Sequence, residues 1–338
     1  MRVCIFGAGA IGGFIGARLA AAGVAQLSVV ARGDTLAALQ QHGFRLRNPD
    51  GSLTQSPARA SAVPAELGEQ DLVIIAVKGP AMAAVAPAIG PLMGPQTMLL
   101  PAMNGIPWWF SAGVPELGAA PLDSVDPGGR IAQALPASRV IGCVVHASTS
   151  CPEPGLVAHQ MGQKLIIGEP AAGPVTPRVQ QVAGLLRSGG LEVVESPELR
   201  RELWYKLWGN LTTNPVSAVT GATVDLILAD PLLRVFCTSM MAEASRVGAR
   251  IGCRIEQTPA DRHRITASLG AFKTSMLQDA EAGRAIELDG IVGAVREIAQ
   301  RLGEPTPGID ALLGLTRVFA QVHGLYPLGP ANMGPISS

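Results

Sequence analysis

This chain is poor in charge. Charged residues fill 15% of its 338 positions, against about 25% in an average soluble domain, and Lys+Arg equals Asp+Glu at 26 each. With no excess of either sign there is no field to draw in nucleic acid or an anionic membrane surface. Neither is expected as a partner, and small molecules or further copies of the chain are expected instead. So low a charge content also implies that some surface is covered, by a partner subunit or by a large closed interior. An oligomer such as a homodimer is therefore expected.

Cysteine is equally uninformative as a scaffold. Cys4, Cys143, Cys151, Cys237 and Cys253 are odd in number, scattered, and form no C-x-x-C pair, so neither a disulfide framework nor a zinc knuckle is signalled. A reducing, cytoplasmic compartment fits. The histidines, at 42, 146, 159, 263 and 323, show no H-E-x-x-H or other ligand spacing, and no catalytic metal is predicted. No run is long and apolar enough to span a bilayer, and there is no internal repeat. Arg2 followed by apolar residues up to Ala20-Ala21-Ala22 has the look of a secretory leader, but Arg18 and the glycines interrupt it, whereas a leader's apolar block is unbroken.

What the chain does have is alternation. Its length favours two domains of about 100–200 residues each, and the first 150 or so positions alternate short β-branched runs with Ala- and Leu-rich helical ones, the pattern of βαβ units in a parallel sheet. Val3–Phe6, Leu27–Val30, Asp71–Val77 and Thr97–Leu100 read as strands, and Ile11–Ala22 as a helix stopped by Gly23. Arg32, Lys78 and Asn104 follow three of the strand ends, where open α/β sheets bind their ligands. Beyond about Glu195 the texture becomes amphipathic and helical, with Leu203, Leu207 and Leu211 at four-residue steps. The predicted organisation is an α/β domain over 1–195, an all-α domain over 196–328 and a mobile Gly/Pro tail over 329–338.

The strongest local motif is Gly7-Ala8-Gly9-Ala10-Ile11-Gly12, which follows a strand and opens a helix. That context suits a dinucleotide pyrophosphate. Gly7 permits a tight turn, Gly9 lets backbone approach the phosphates, Gly12 allows close helix-to-strand packing, and the N–H groups of the helix start face the charge. The competing reading is a glycine-rich turn with no ligand. At the second strand's tip, where an NAD enzyme carries an acidic residue for the ribose hydroxyl, the chain has Ala31-Arg32. A guanidinium there suits a 2′-phosphate, so NADP(H) is the expected cofactor; Asp34 two residues on, or an ordinary surface role for Arg32, are the alternatives. Lys78 is either a second cation near the cofactor or the charged end of a strand.

Past the middle, Lys206, Asn210 and Asn214 drift by only about 40° per step on a helix, so an ammonium and two carboxamides share one face beside a leucine stripe. Asn is a poor helix-interior residue, and such amides near a buried stripe need partners. A solvated polar face is the bland alternative. Pro215 removes a helix hydrogen bond, and a kink is expected there.

These residues, Leu203-Trp204-Tyr205-Lys206-Leu207…Asn210…Asn214-Pro215, together with Thr274-Ser275-Met276-Leu277-Gln278-Asp279, Ile286-Glu287-Leu288-Asp289-Gly290, Met103-Asn104-Gly105 and the glycine turn, closely resemble the ketopantoate reductase (2-dehydropantoate 2-reductase) family over nearly the whole chain. The resemblance implies a Rossmann-type, doubly wound parallel sheet followed by an all-α C-terminal domain, with catalysis between them. It implies that NADPH reduces a small 2-oxo acid, with Lys206 giving a proton to the carbonyl oxygen. It also places Asn210 and Asn214 on the substrate, Ser275 on its carboxylate, Asn104 at the nicotinamide end and substrate, and Glu287 against cofactor and lysine. Burial should lower the Lys206 pKa from about 10.4 toward the working range of a general acid, while Glu287 opposes that shift.

Two departures bear on the substrate. Many family members carry a further asparagine after the proline, for a substrate hydroxyl; here that stretch reads Gly221-Ala222-Thr223-Val224-Asp225, with Thr223 or Asp225 as substitutes. An extra segment between Asn104 and His146 includes Ile106-Pro107-Trp108-Trp109-Phe110, read either as an aromatic pocket wall or as a surface hairpin or subunit contact. A family member acting on another ketone, and a non-catalytic NADPH-sensing protein, are the other readings. The sensor would have no need for Lys206, Asn210, Asn214, Ser275 and Glu287 together.

Overall fold

A computed structural model of the chain describes residues 1–23, 26–268 and 270–328, and the predicted tail lies outside them. In chain order its elements are β1 (Arg2–Phe6), α1 (Ala10–Ala22), β2 (Gln26–Val30), α2 (Gly33–His42), β3 (Phe44–Arg47), β4 (Leu53–Ser56), β5 (Arg59–Ser61), β6 (Gln70–Ile75), α3 (Met82–Ile89), β7 (Met93–Pro101), α4 (Arg130–Ala134), β8 (Gly142–Glu153), β9 (Leu156–Gly168), α5 (Pro177–Ser188) and β10 (Glu192–Glu195). The helical half follows as α6 (Leu199–Thr220), α7 (Val224–Ala229), α8 (Pro231–Arg250), α9 (Pro259–Ala267), α10 (Ser275–Glu281), a π-helical turn over Asp289–Gly293, α11 (Ala294–Leu302) and α12 (Pro307–Val322).

The first sheet runs β5-β2-β1-β6-β7 and all its pairings are parallel. Strand residues alternate between two cores, as a period of two requires. Val3, Ile5, Val29, Leu72 and Ile74 pack with Phe14, Ile15 and Leu19 of α1, and Cys4, Phe6, Val30, Val73 and Ile75 pack with Met82, Val85 and Ile89 of α3. Burial on both faces is why these strands read as unbroken apolar runs. The four predicted strands are all here.

A second sheet, ordered β10-β9-β3-β4 with β8 paired to β9, was not anticipated. It mixes antiparallel pairs, β8 with β9 and β3 with β4, with parallel ones, β9 with β3 and with β10. Helix α1 packs between the two sheets. Short, polar strands such as Phe44-Arg45-Leu46-Arg47 carry little local signal, and their partner β9 lies over a hundred residues away.

In the helical half, α6 is central. Trp204 and Trp208 are buried, and their indole N–H groups donate to the carbonyls of Ala244 (3.2 Å) and Met241 (2.7 Å) on α8. The helix continues through Pro215 to Thr220. Among the described residues no helix is long and apolar enough to cross a membrane.

The aromatic segment is neither a pocket wall nor a hairpin nor a free surface for a second subunit. Trp108, Trp109 and Phe110 are 3%, 1% and 0% exposed, and all three lie in the same core as Leu199, Leu203 and Trp204 of α6. Phe110 stacks on Trp204 with centroids 6.0 Å apart, the Trp108 indole donates to the Leu135 carbonyl at 3.0 Å, and Glu297 of α11 accepts from the backbone N–H groups of Asp123 and Ser124. Each aromatic side chain can bury about 150–250 Å², so the hydrophobic gain favours burying the segment between the halves of the molecule.

Candidate active site

The carboxyl edge of the parallel sheet faces α6 and α10 across a cleft of about 1330 Å³. Its floor is the glycine turn, and each of the three glycines has its own reason to be there. Gly7 has φ +96°, and a Cβ on it would stand 2.7 Å from Val77 Cγ1. Gly9 opens on the cleft, and beyond its chain neighbours nothing lies within 4 Å of its would-be Cβ. Gly12 is not on the cleft; a Cβ there would stand 2.0 Å from the Gly7 carbonyl oxygen and 2.8 Å from Ala76 Cβ, so it serves the packing of α1. Gly9 is the N-cap of α1 and no side chain caps that end, which leaves the first N–H groups to a ligand. Ala8, Ala10 and Ile11 line the same floor.

Arg32 caps the start of α2 at the tip of β2 and lines the cleft with Thr35, whereas Asp34 is not among the lining residues. Lys78 also lines it but is already paired. Its ammonium lies 2.7 Å from the Asp279 carboxylate of α10, which Arg284 also engages at 3.0 Å. The lysine thus ties the sheet edge to the helical half.

The opposite wall comes from α6. Lys206, Asn210 and Asn214 all face the cleft, as their spacing predicts. Among the described residues neither asparagine amide has a protein partner, although Asn214 is buried. The Lys206 ammonium donates to the Asn104 side-chain oxygen at 2.8 Å and to the Val145 carbonyl of β8 at 2.5 Å. Burial draws its pKa down to about 8; the Arg262 charge adds to this, while Glu287 opposes it.

Ser275 is the first residue of α10, whose N-cap Thr274 accepts the Leu277 N–H, and it lines the cleft beside Gln278 and Phe272. Glu287 accepts the Gly79 N–H at 3.2 Å. Burial pushes its carboxyl up, against that N–H, Lys78 and Asn104. Its effect on Lys206 acts through charge, because the hydrogen bonds of the ammonium go elsewhere.

Thr223 and Asp225, the candidates for the missing asparagine, are turned toward one another. Neither lines the cleft, and the Thr223 hydroxyl donates to the Asp225 carboxylate. Three neighbours of Lys206 had no sequence signal. The Val145 carbonyl is backbone. His146 is a lone histidine in a strand, here a cleft residue whose pKa is lowered to about 4 by burial and by the charges of Lys206, Lys164 and Arg262. Arg262 is one arginine among many on helices.

Two family models cover most of the chain. Ketopantoate reductase PanE/ApbA matches residues 3–172, and the C-terminal model of the same family matches residues 198–320. A 2-dehydropantoate 2-reductase from Mesorhizobium japonicum is 42% identical over 327 residues, covering 96% of this chain and 100% of the relative. A crystal structure of a ketopantoate reductase candidate from Ralstonia solanacearum MolK2 superposes with a TM-score of 0.92 at 52% identity, covering 96% of this chain and 99% of that one. D-mandelate dehydrogenase, solved with NADH and anilino(oxo)acetate, shares the fold at a TM-score of 0.82 and 18% identity, over 96% of this chain and 100% of that one.

Proposed function

The chain belongs to the ketopantoate reductase family, and from that premise we propose that it uses NADPH to reduce a 2-oxo carboxylate to the 2-hydroxy carboxylate, 2-dehydropantoate to pantoate being the leading case. It is an oxidoreductase acting on CH–OH donors. The observation that carries the finer reading is the position of the Lys206 ammonium. It is drawn down to a pKa of about 8, hydrogen-bonded to Asn104, and lines the same cleft as the glycine turn.

The cleft fits a dinucleotide. Gly9 leaves space above the backbone, the start of α1 offers unpaired N–H groups, and Arg32 stands at the β2 tip without Asp34 beside it on the lining. Arg32 is then the group that holds a 2′-phosphate, through paired charge-assisted hydrogen bonds. Lys78 and Glu287 border the site where the sheet edge meets α10. When bound, the reduced dinucleotide supplies the hydride.

Reduction builds negative charge on the carbonyl oxygen, and a fixed cation that can surrender a proton stabilises that charge. Lys206 takes this part, with Asn104 holding its amine in place. Asn210 and Asn214, whose amides lack protein partners among the described residues, hold the substrate, and the Ser275 hydroxyl meets its carboxylate. Glu287 keeps the ammonium charged until transfer. A homodimer is the proposed assembly, with the exposed stripe Leu315, Val318 and Val322 on α12 as apolar surface for it to cover.

The engagement of Thr223 with Asp225, away from the cleft, favours a second reading in which the substrate lacks the hydroxyl that the absent asparagine would bind. One assay decides between them: loss of reduced-nicotinamide absorbance against a panel of 2-oxo acids that includes ketopantoate. Rapid turnover of ketopantoate supports the leading case. Turnover confined to another 2-oxo acid supports the second, and tight NADPH binding with no turnover would make the protein a sensor.

A further inference from the structure

Among the described residues the Arg262 side chain, on α9, has no carboxylate in ion-pair range and no hydrogen bond, and its Nε is buried without a partner. It is held against α6 instead. The guanidinium carbon lies 5.0 Å from the centroid of the Tyr205 ring, and a Cβ on Gly209 would stand 2.6 Å from Nη2 and 2.7 Å from Nε. Glycine weakens a helix interior, yet here it is what lets a flat cation lie on the backbone. Gly209 is three residues beyond Lys206, and positions three apart are helix-surface neighbours. The cation therefore sits within one turn of the proposed proton donor.

We propose that Arg262 is a positioning residue for proton transfer, a permanent cation docked on α6 through Tyr205 and Gly209 whose field acts on the Lys206 ammonium. The inference rests on the reading of Lys206 as proton donor. The groups facing that amine come from several elements. From β8 come the Val145 carbonyl, the Cys143 thiol, which burial pushes up to about 12, and the His146 imidazole, lowered to about 4; both side chains are neutral near pH 7. From the loop after β7 comes Asn104, and from the segment after α10 comes Glu287. That leaves two opposed charges: Glu287 retains the proton and Arg262 loosens it. The guanidinium cannot titrate in this range, so its contribution is constant while Glu287 responds to its own surroundings.

The chain has four lysines, Lys78, Lys164, Lys206 and Lys273, so the Cε signals of the full-length protein labelled with ¹³C-lysine can be titrated one by one, the Lys206 signal being the one absent from Lys206→Ala. Arg262→Met is expected to raise the Lys206 titration by on the order of half a pH unit or more and to move the alkaline limb of kcat/KM with it. Arg262→Lys, which keeps the charge, is expected to titrate as the parent does. Should Arg262→Met fold poorly, Gly209→Ala displaces the same guanidinium and is expected to shift the titration in the same direction. An unmoved Lys206 titration in Arg262→Met, or in Gly209→Ala where it stands in for that variant, overturns the inference, even if activity falls, because a merely structural role would leave it unmoved. If Lys206→Ala still turns over, the proton-donor reading fails while the titration still reports the field of Arg262.

Discussion

The Lys206 ammonium and the Asn104 side-chain oxygen, 102 positions apart in sequence, lie 2.8 Å apart in the folded chain. One residue comes from the helical half and the other from the loop after the last strand of the parallel sheet. The bond spans the two halves across the cleft, so the geometry of the amine depends on how those halves dock.

Replacing that amine tests its role directly. Lys206→Ala is expected to lower turnover by about 10²–10⁴, the range for loss of a general acid, while fluorescence titration finds NADPH affinity nearly unchanged. Near-parental turnover would refute the assignment.

The pH dependence has a definite sign. A proton donor must be charged to act, and the Lys206 pKa is lowered to about 8. For the reduction, kcat/KM should be level up to about one unit below that pH and approach a tenfold fall per unit above it. A profile that stays level to pH 10 would exclude Lys206 as the donor.

Cofactor choice is expected to depend on Arg32. In Arg32→Ala the ratio of kcat/KM for NADPH over NADH should drop about 5- to 100-fold, the loss of one charge-assisted pair. An unchanged ratio would assign the 2′-phosphate to some other group.

The glycines of the turn should separate stability from binding. Gly12→Ala places a Cβ 2.0 Å from the Gly7 carbonyl oxygen, and overpacking of this kind costs about 1–3 kcal/mol or more, read as a lower urea midpoint. Gly9→Ala meets no protein atom, so the urea midpoint should hold while NADPH affinity falls. Equal stability loss in both variants would contradict this division.

Trp109 gives the opposite pattern. It is 1% exposed, and truncating a buried aromatic costs about 3–5 kcal/mol, so Trp109→Ala should unfold at far lower urea. The order of preference among 2-oxo acids should be unchanged, and a reordered preference would return this segment to the pocket.

Much of the architecture was legible because its signals are local. β1, β2, β6 and β7 announced themselves as apolar runs, the glycine turn sat between a strand and a helix, and four-residue spacing put Lys206, Asn210 and Asn214 on one face. The second sheet was illegible for the opposite reason, since β3 and β9 are joined by pairing across more than a hundred residues. The same holds for Trp108-Trp109-Phe110, whose composition suits a pocket wall, a dimer contact or a core equally well.

Residue type and spacing by themselves determined which groups could do the chemistry and which helix face would carry them, because helix periodicity and the turn preferences of glycine are properties of short stretches. Only the tertiary structure decided that Lys78 is taken up by Asp279, that Thr223 and Asp225 satisfy one another, and that Arg262 lies on Gly209 within a turn of the amine. Those outcomes depend on which distant groups share a low-dielectric space, and burial and charge act through that space whatever the separation along the chain.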